Sequence, residues 1–171
     1  MNIKNYIRDI PNFPKPNILF KDITPLLKNP AAFEYVINSF YQEISSIKNI
    51  TAIVAIESRG FIFGSALALK CNLPLILIRK AGKLPNLTHK SKYELEYGSD
   101  TLEIHQDSLN NEDKIIIIDD LIATGGTIDA TCKLVKKTGA EIIKCLFLIE
   151  LLALNGKNRI SSNKIKSLIK Y

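Results

Sequence analysis

The chain has 171 residues, of which 46% are hydrophobic and 23% charged, as is ordinary for one globular domain with a sizeable core. Its net charge of +6 favours anionic ligands, but no dense basic tract with interleaved aromatic residues indicates nucleic-acid binding. No apolar run reaches the ~18 residues that span a membrane, so we expect a single domain over residues 1–171 with neither a nucleic-acid nor a membrane partner.

The three cysteines, Cys71, Cys132 and Cys145, do not have the spacing of metal ligands. Each lies in a periodic apolar context, which is typical of buried, reduced thiols. The sequence begins without a recognisable secretion signal. Together these observations predict a cytoplasmic protein.

An extended segment followed by a helix is predicted for the first 44 residues. Four prolines among the first 25 residues argue against an early helix, and residues 18–23 form a short extended segment. Over residues 31–44 apolar side chains recur at helical spacing, and Pro30 suits a first helical turn.

The remainder of the sequence alternates between buried strands and helices. Four short runs are almost entirely apolar, which is typical of strands buried on both faces of a parallel sheet. The predicted strands are Ala52–Ile56, Leu75–Ile78, Lys114–Asp119 and Ile142–Leu151, with helices at Phe61–Lys70 and Thr127–Lys137. Gly139 suits the end of the second helix. This order predicts an α/β fold with a mostly parallel sheet and right-handed crossovers.

The stretch between Gly82 and Gln106 has a different pattern. Apolar and polar residues alternate on both sides of a turn at residues 98–100, as in an antiparallel β-hairpin. We expect this loop and hairpin, about residues 82–106, to cover the C-terminal edge of the sheet as a lid.

Polar side chains are concentrated where the predicted strands end, and the carboxyl ends of strands form the ligand crevice of an open α/β sheet. These residues are Glu57, Ser58 and Arg59, then Arg79, Lys80 and Lys83, then Asp119 and Asp120. Any one of the four cations could be ordinary surface charge. Their shared position favours a site for a pyrophosphate with its metal.

The run from Ile115 to Thr127 carries the strongest chemical signal. A buried strand ends in Asp119 and Asp120, and a Thr-Gly-Gly-Thr loop then begins a helix. The backbone N–H groups of such a loop can hold a phosphate. Adjacent strand side chains point to opposite faces, so at least one carboxylate needs a role beyond the helix dipole. A phosphorylated sugar with a vicinal diol, such as ribose 5-phosphate, would suit this arrangement.

These motifs together resemble the adenine phosphoribosyltransferases, a family with the type I phosphoribosyltransferase fold. The phosphoribosyl-diphosphate motif of that superfamily matches Ile116–Thr127. The segments that resemble the adenine-specific family are Phe13–Pro16, Ile18–Leu27, Glu57–Phe61, Arg79–Pro85 and Leu95–Gly98. The resemblance extends, in order, over nearly the whole chain.

The resemblance implies a Rossmann-like, mostly parallel sheet flanked by helices, with an N-terminal hood at about residues 1–30 and a flexible β-hairpin lid. It implies that adenine and 5-phosphoribosyl 1-diphosphate react to give AMP and diphosphate in purine salvage. The cofactor would be Mg²⁺, held mainly by the diphosphate and ribose of the substrate without a direct protein ligand. A homodimer is also implied.

The resemblance assigns catalytic roles to three carboxylates. Asp119 and Asp120 would hold the ribose hydroxyls, and Glu96 would assist proton movement at the purine. That chemistry agrees with the independent interpretation of the motif, because departure of diphosphate from C1 leaves a positive sugar that nearby carboxylates stabilise. Glu96 could otherwise be an exposed carboxylate of the hairpin.

The resemblance also assigns binding roles, by segment. The 5′-phosphate would be held by the loop Ala123, Thr124, Gly125, Gly126 and Thr127, next to Leu121. The diphosphate would meet Arg59, Arg79, Lys80 and Lys83. The adenine hood would consist of Leu19, Phe20 and Lys21, with Tyr97 beside Glu96 on the flexible loop.

Three residues depart from the family pattern. Asn17 stands where Gly is usual, although Asn tolerates a positive φ and can keep the turn. Lys21 replaces a common Arg, which puts guanidinium stacking on the base in doubt. Ala81 replaces a more typical Pro or charged residue. None of these changes removes a group that the chemistry requires.

Two other functions remain open from the sequence. A related phosphoribosyltransferase could use xanthine, guanine or a pyrimidine, although the hood around Phe20 argues for adenine. A regulatory protein could keep the fold and the phosphate cup while binding nucleic acid. The chain has no room for a separate helix-turn-helix domain, and it retains Glu96.

Overall fold

The computed structural model describes residues 1–94, 99–160 and 164–171. In chain order, the strands are β1 (Arg8–Pro11), β2 (Leu19–Asp22), β3 (Ala52–Ile56), β4 (Leu75–Lys80), β5 (Thr88–Glu94), β6 (Ser99–His105), β7 (Lys114–Ile122), β8 (Glu141–Glu150) and β9 (Ile165–Lys170). The α-helices are α1 (Thr24–Lys28), α2 (Pro30–Ile44), α3 (Gly60–Cys71) and α4 (Gly126–Thr138). Short 3₁₀ turns occupy Ile3–Tyr6, Leu152–Leu154 and Gly156–Arg159.

A mostly parallel sheet forms the centre of the described structure, as predicted. Its strands lie in the order β5–β6–β4–β3–β7–β8–β9. The five strands from β4 to β9 in that order are parallel to their neighbours, whereas β6 pairs antiparallel with both β4 and β5. The hairpin is therefore an extension of the central sheet rather than a separate layer.

The apolar strands divide the core into two layers, one on each face of the sheet. Ile116 and Ile118 of β7 pack with α2 and α3, whereas Ile115 and Ile117 pack with α4. This alternation follows from the two-residue period of a strand, and all four side chains are fully buried. The central strands therefore require no polar face, which explains their continuous apolar runs.

The helix ends follow the expected capping chemistry. The side chain of Asn29 accepts a hydrogen bond from the N–H of Ala32 at 2.9 Å and so caps α2, where Pro30 occupies the first turn. Gly139 ends α4 with a φ of +89°, as predicted for a C-terminal glycine.

A small antiparallel sheet of β1 and β2 forms the hood segment, which we define as residues 8–22. In it Lys21 lies opposite Asp9, and Phe20 lies opposite Ile10. The rings of Phe13 and Phe20 pack edge to face at 5.1 Å. Asn17 has a φ of +67°, so it adopts the turn conformation expected of it.

Several element boundaries differ from the prediction. The strand β7 continues to Ile122, so the acidic pair lies within its last residues rather than at its tip. Ser99 and Asp100 begin β6 instead of forming the turn. Backbone pairing to neighbouring strands explains both extensions, because local sequence does not specify it.

The sequence patterns do not predict one of the α-helices and two of the strands of the described structure. The short helix α1 begins before Pro25, which occupies its first turn, where a proline is tolerated. The strands β1 and β9 each gain their hydrogen bonds from a partner distant in sequence. Among the residues that the structure describes, no helix has the length and hydropathy to cross a membrane.

Candidate active site

The strand register brings the three predicted strand ends together. Within the sheet, β3 pairs in parallel with β4 on one side and β7 on the other, almost to their last apolar residues. The residues that follow, Glu57, Arg79 and Asp119, consequently lie at the same edge of the sheet. The crevice predicted from the motif spacing is therefore assembled in the fold.

Two buried carboxylates lie at the centre of this edge. Asp119 and Asp120 are 8% and 6% exposed, and the N–H of Asp120 donates to Asp119 Oδ1 at 2.8 Å. Asp120 Oδ2 is buried in an ion pair with Arg59 Nη2 at 2.7 Å. Asp119 lines the neighbouring cavity, where its carboxylate is placed to accept a hydrogen bond from a ligand hydroxyl.

The two carboxylates have unusual proton affinities. Burial raises the pKa of Asp119 well above its ordinary value, and the negative charge of Asp120 raises it further. Burial also raises the pKa of Asp120, although the Arg59 guanidinium opposes the rise. Concentrating negative charge in this crevice is unfavourable for the free protein, and a ligand that develops positive charge there would relieve the repulsion.

The predicted phosphate loop surrounds a cavity of about 140 Å³ next to Asp119. The cavity is lined by Asp119, Leu121, Ile122, Ala123, Thr124, Gly125, Gly126, Thr127, Ile128 and Phe147. Every loop residue predicted from the sequence is among them. Gly125 caps α4 without a side-chain hydrogen bond, so the first N–H groups of the helix remain available to an anion.

A second glycine supports the loop from outside the predicted motif. Gly125 has a φ of +82°, and a Cβ atom on it would collide with the carbonyl oxygen of Gly156. A Cβ on Gly156 would in turn collide with the carbonyl oxygen of Ala123. Gly156 lies outside every motif predicted from the sequence, and the Asn155-Gly156 dipeptide, a common turn signal, is the only local indication of it.

The cations at the end of β4 are organised around Glu57. Its carboxylate accepts from the N–H of Lys80 at 2.9 Å and from Arg79 Nε at 3.2 Å, with Lys83 Nζ at 3.6 Å. Burial alone would raise the pKa of Glu57, but these hydrogen bonds and charges bring it below its ordinary value. Glu57 therefore holds the side chains of Arg79 and Lys83 and the backbone of Lys80, and its single charge neutralises only part of the positive charge there.

The hairpin contributes two further polar groups that the sequence analysis did not assign to the site. Asp100 pairs with Lys80 at 3.0 Å. Tyr93 lies on the same hairpin, where burial and the negative charge of Asp100 raise the pKa of its phenol. The alternating pattern of the hairpin indicated a strand but could not indicate which side chains would face the cup. Glu96 and Tyr97, predicted for the same hairpin, lie outside the described residues.

Arg59 connects the carboxylates to the hood segment. Besides its ion pair with Asp120, its Nη1 donates to the carbonyl oxygen of Lys21 at 3.3 Å, and its guanidinium lies 4.8 Å from the ring centre of Phe20. The side chain of Leu19, the residue before Phe20, is 49% exposed. The side chain of Lys21 turns away from Arg59 and pairs with Asp9 at 2.7 Å. The ammonium of Lys21 therefore does not take the place of a stacking guanidinium.

Comparison with known proteins agrees with this geometry. Residues 22–169 match the model of the phosphoribosyl transferase domain family. The chain is 48% identical over 171 residues to the adenine phosphoribosyltransferase of Christiangramia forsetii, covering all of this chain and 99% of that protein. The chain therefore belongs to the adenine phosphoribosyltransferase family, whose members are enzymes.

Solved structures show the same fold. The adenine phosphoribosyltransferase of Thermoanaerobacter pseudethanolicus has a TM-score of 0.95 at 46% identity, covering 99% of this chain and 98% of its own. The Saccharomyces cerevisiae enzyme, solved with adenine and an imino-altritol bisphosphate, has a TM-score of 0.92 at 38% identity, covering 98% and 96%. The central sheet and its helices thus have the type I phosphoribosyltransferase fold.

The raised pKa of Asp119 predicts a stability gain when its charge is removed. An acidic group whose pKa is raised in the folded state destabilises the fold when the pH is above that raised pKa. It has no such effect when the pH is below its ordinary pKa of 3.8. We expect Asp119→Asn to raise the Tm by about 2–4 °C at pH 7.5, the shift that ~1 kcal/mol produces in a domain of this size. The gain should shrink as the pH falls towards 4 in thermal unfolding experiments.

Asp107→Asn provides the control, because Asp107 is exposed and distant from the cup. We expect no comparable pH-dependent gain from it. An Asp119→Asn variant that is less stable than the parent at pH 7.5, or equally shifted at both pH values, would contradict the charge-burial explanation.

Proposed function

We propose that this chain transfers the phosphoribosyl group of 5-phosphoribosyl 1-diphosphate to adenine, forming AMP and diphosphate for purine salvage. The observation that carries the proposal is the buried Asp119–Asp120 pair beside the open cavity of the Thr-Gly-Gly-Thr loop. Carboxylates beside a phosphate-sized cavity suit a ligand with a vicinal diol and a terminal phosphate. The yeast relative's complex with adenine and a phosphorylated sugar analogue supports this choice of substrates.

The carboxylates stabilise the reacting sugar. As the bond between C1 and the diphosphate breaks, positive charge develops on the ribose ring. Asp119 and Asp120 repel each other in the free protein, and their negative charges attract the positive charge of the ring. The two carboxylates would accept hydrogen bonds from the ribose hydroxyls, which would fix the ring while the purine nitrogen approaches C1.

The basic residues receive the leaving group. Arg79 and Lys83 can exchange part of their contact with Glu57 for contacts with diphosphate oxygens. Lys80 can likewise exchange its contact with Asp100 for a diphosphate oxygen. Arg59 is ion-paired with Asp120, so its guanidinium lies beside the proposed position of the sugar. These exchanges keep the cations satisfied before and after the reaction.

We also propose Mg²⁺ as the cofactor. The described residues contain no cluster of three or more histidine, cysteine or acidic side chains that could hold a metal alone. Substrate oxygens of the diphosphate and ribose would supply the hard ligands that Mg²⁺ prefers, with Asp119 and Asp120 nearby. When bound, the ion would neutralise charge that develops on the diphosphate.

The hood and the hairpin have complementary proposed roles within a single domain of residues 1–171. Leu19, Phe20 and the backbone of Lys21 would contact the base, with the Phe20 ring next to Arg59. The loop and hairpin at about 82–106 would exclude water from the activated sugar. Glu96 would assist proton movement at the purine, with Tyr97 beside it.

Formation of radiolabelled AMP tests the proposal. The parent protein with 5-phosphoribosyl 1-diphosphate, Mg²⁺ and adenine should form AMP, and chelation of Mg²⁺ should abolish it. Asp120→Asn should lower kcat/KM by about 100- to 1,000-fold, the typical effect of removing one preorganised electrostatic group. Asp107→Asn, with its exposed side chain, should leave the rate unchanged.

Other substrates decide between the alternatives. A parent protein that reacts with guanine, xanthine or a pyrimidine in preference to adenine would contradict the adenine assignment. A folded protein that forms no nucleotide with any base would contradict the transferase assignment and favour a regulatory role.

We propose further that the enzyme is a cytoplasmic homodimer. Its three cysteines are free thiols, which suits a reducing compartment. Helices α2 and α3 form an apolar groove of about 350 Å³ that includes Phe33, Ile37 and Leu69, and Leu69 is 84% exposed. A second copy of the chain would cover such a patch.

If the groove is the dimer interface, a charged substitution within it should change the oligomeric state. In sedimentation equilibrium the parent should have twice the 19.2 kDa chain mass. Leu69→Asp should shift the population towards the monomer, because it places a charge in the buried contact. The same substitution at exposed Lys136, Lys136→Asp, should leave the mass unchanged. A parent that sediments as a monomer would contradict the assignment.

A further inference from the structure

The side chain of Lys21, a residue of the hood segment, is buried between Asp9 and Tyr171. Lys21 is only 5% exposed, and its Nζ lies 2.7 Å from Asp9 Oδ1. The same Nζ lies 3.7 Å from the ring centre of Tyr171, and Lys4 Nζ lies 4.9 Å from that ring. A desolvated ammonium over an aromatic face is strongly attracted to it. The ring of Tyr171 is therefore a principal partner of Lys21.

Tyr171 is fixed to the central sheet by its backbone. Its N–H donates to the carbonyl oxygen of Glu150 at 3.0 Å, and its own carbonyl accepts from the N–H of Leu152 at 2.8 Å. The hood strands β1 and β2 form a separate sheet. The Tyr171 ring consequently joins the hood to the rigid end of β8.

The backbone of Lys21 faces the opposite direction, towards the candidate active site. Its carbonyl oxygen accepts from Arg59 Nη1 at 3.3 Å, and Arg59 contacts both the Phe20 ring and Asp120. A displacement of the Lys21 side chain would therefore move the backbone that lies beside the base position. The contacts run continuously from Tyr171 through Lys21 to Arg59.

We propose that Tyr171 is a positioning residue for the base: by holding Lys21 behind the hood, its ring sets the affinity for adenine. The inference rests on the proposed function, because it assigns the base to the hood. Without the ring, the ammonium loses a partner and the hood strand loses one of its links to the rest of the fold. The phosphate loop and the cations of β4 have no part in this contact, so binding of 5-phosphoribosyl 1-diphosphate should be spared.

Three substitutions separate the aromatic face from simple packing. Tyr171→Phe keeps the face and removes the hydroxyl, whereas Tyr171→Leu keeps apolar bulk and removes the face. Tyr41→Leu is the matched control, because Lys70 Nζ lies 5.2 Å from the Tyr41 ring in a similar pair away from the hood. The KM for each substrate, kcat and the Tm are measured for every variant.

The expected result is a selective change in adenine binding. Tyr171→Leu should raise the KM for adenine about tenfold, or ~1.4 kcal/mol, with kcat and the KM for 5-phosphoribosyl 1-diphosphate within about threefold of the parent. Tyr171→Phe should stay within about twofold of the parent. Tyr41→Leu should lower the Tm without raising the KM for adenine.

Other results would overturn the inference. An unchanged KM for adenine in Tyr171→Leu would remove the assigned role. Parallel losses in kcat and in both KM values, or equal losses in Tyr171→Phe and Tyr171→Leu, would leave Tyr171 as a structural residue only.

Amide hydrogen exchange separates failure of this inference from failure of the proposed function. If the parent forms no AMP, the proposed function fails, but the link between Tyr171 and the hood can still be measured. Faster exchange at residues 19–22 in Tyr171→Leu than in Tyr171→Phe supports the link. Equal exchange in both variants overturns it.

Discussion

The ion pair between Arg59 and Asp120 connects the parts of the molecule that must act together. Asp120 lies near the end of the central strand β7, and Arg59 directly precedes α3. The guanidinium also contacts the hood through Phe20 and the carbonyl of Lys21. Asp120 is buried, and Arg59 is the cation that balances its charge. One side chain therefore links the proposed position of the sugar to the proposed position of the base.

The rest of the site follows the same principle of incomplete neutralisation. Glu57 gathers the cations of β4 without cancelling their charge, and Asp100 holds Lys80 from the hairpin. Asp119 keeps a raised pKa because burial and Asp120 both disfavour its ionised form. Each of these cations thus has a partner in the free protein that a charged substrate can replace. This arrangement keeps the side chains ordered in advance, which lowers the entropy lost on binding.

Much of this site could be predicted from the sequence, because short-range patterns determine it. The apolar run 115–118 predicts a buried strand, which the structure has, and the following loop predicts a phosphate site at a place where the structure has a cavity. Contacts between distant segments could not be predicted in the same way. Gly156 lies 30 residues after Gly126 in the sequence but packs against the phosphate loop. Tyr171 contacts Lys21 although the two residues are far apart in the sequence. Such pairs depend on the path of the backbone, which periodicity and turn signals leave undetermined.

A double-mutant cycle on Arg59 and Asp120 tests most directly whether their ion pair is the link between base and sugar. The parent, Arg59→Met, Asp120→Asn and the double variant are compared by kcat/KM for AMP formation at saturating 5-phosphoribosyl 1-diphosphate. We predict that the double variant is hardly worse than the worse single variant, with a coupling energy of about 1–3 kcal/mol. Losses that add to within about 0.5 kcal/mol would show that the two residues act independently and would contradict the account.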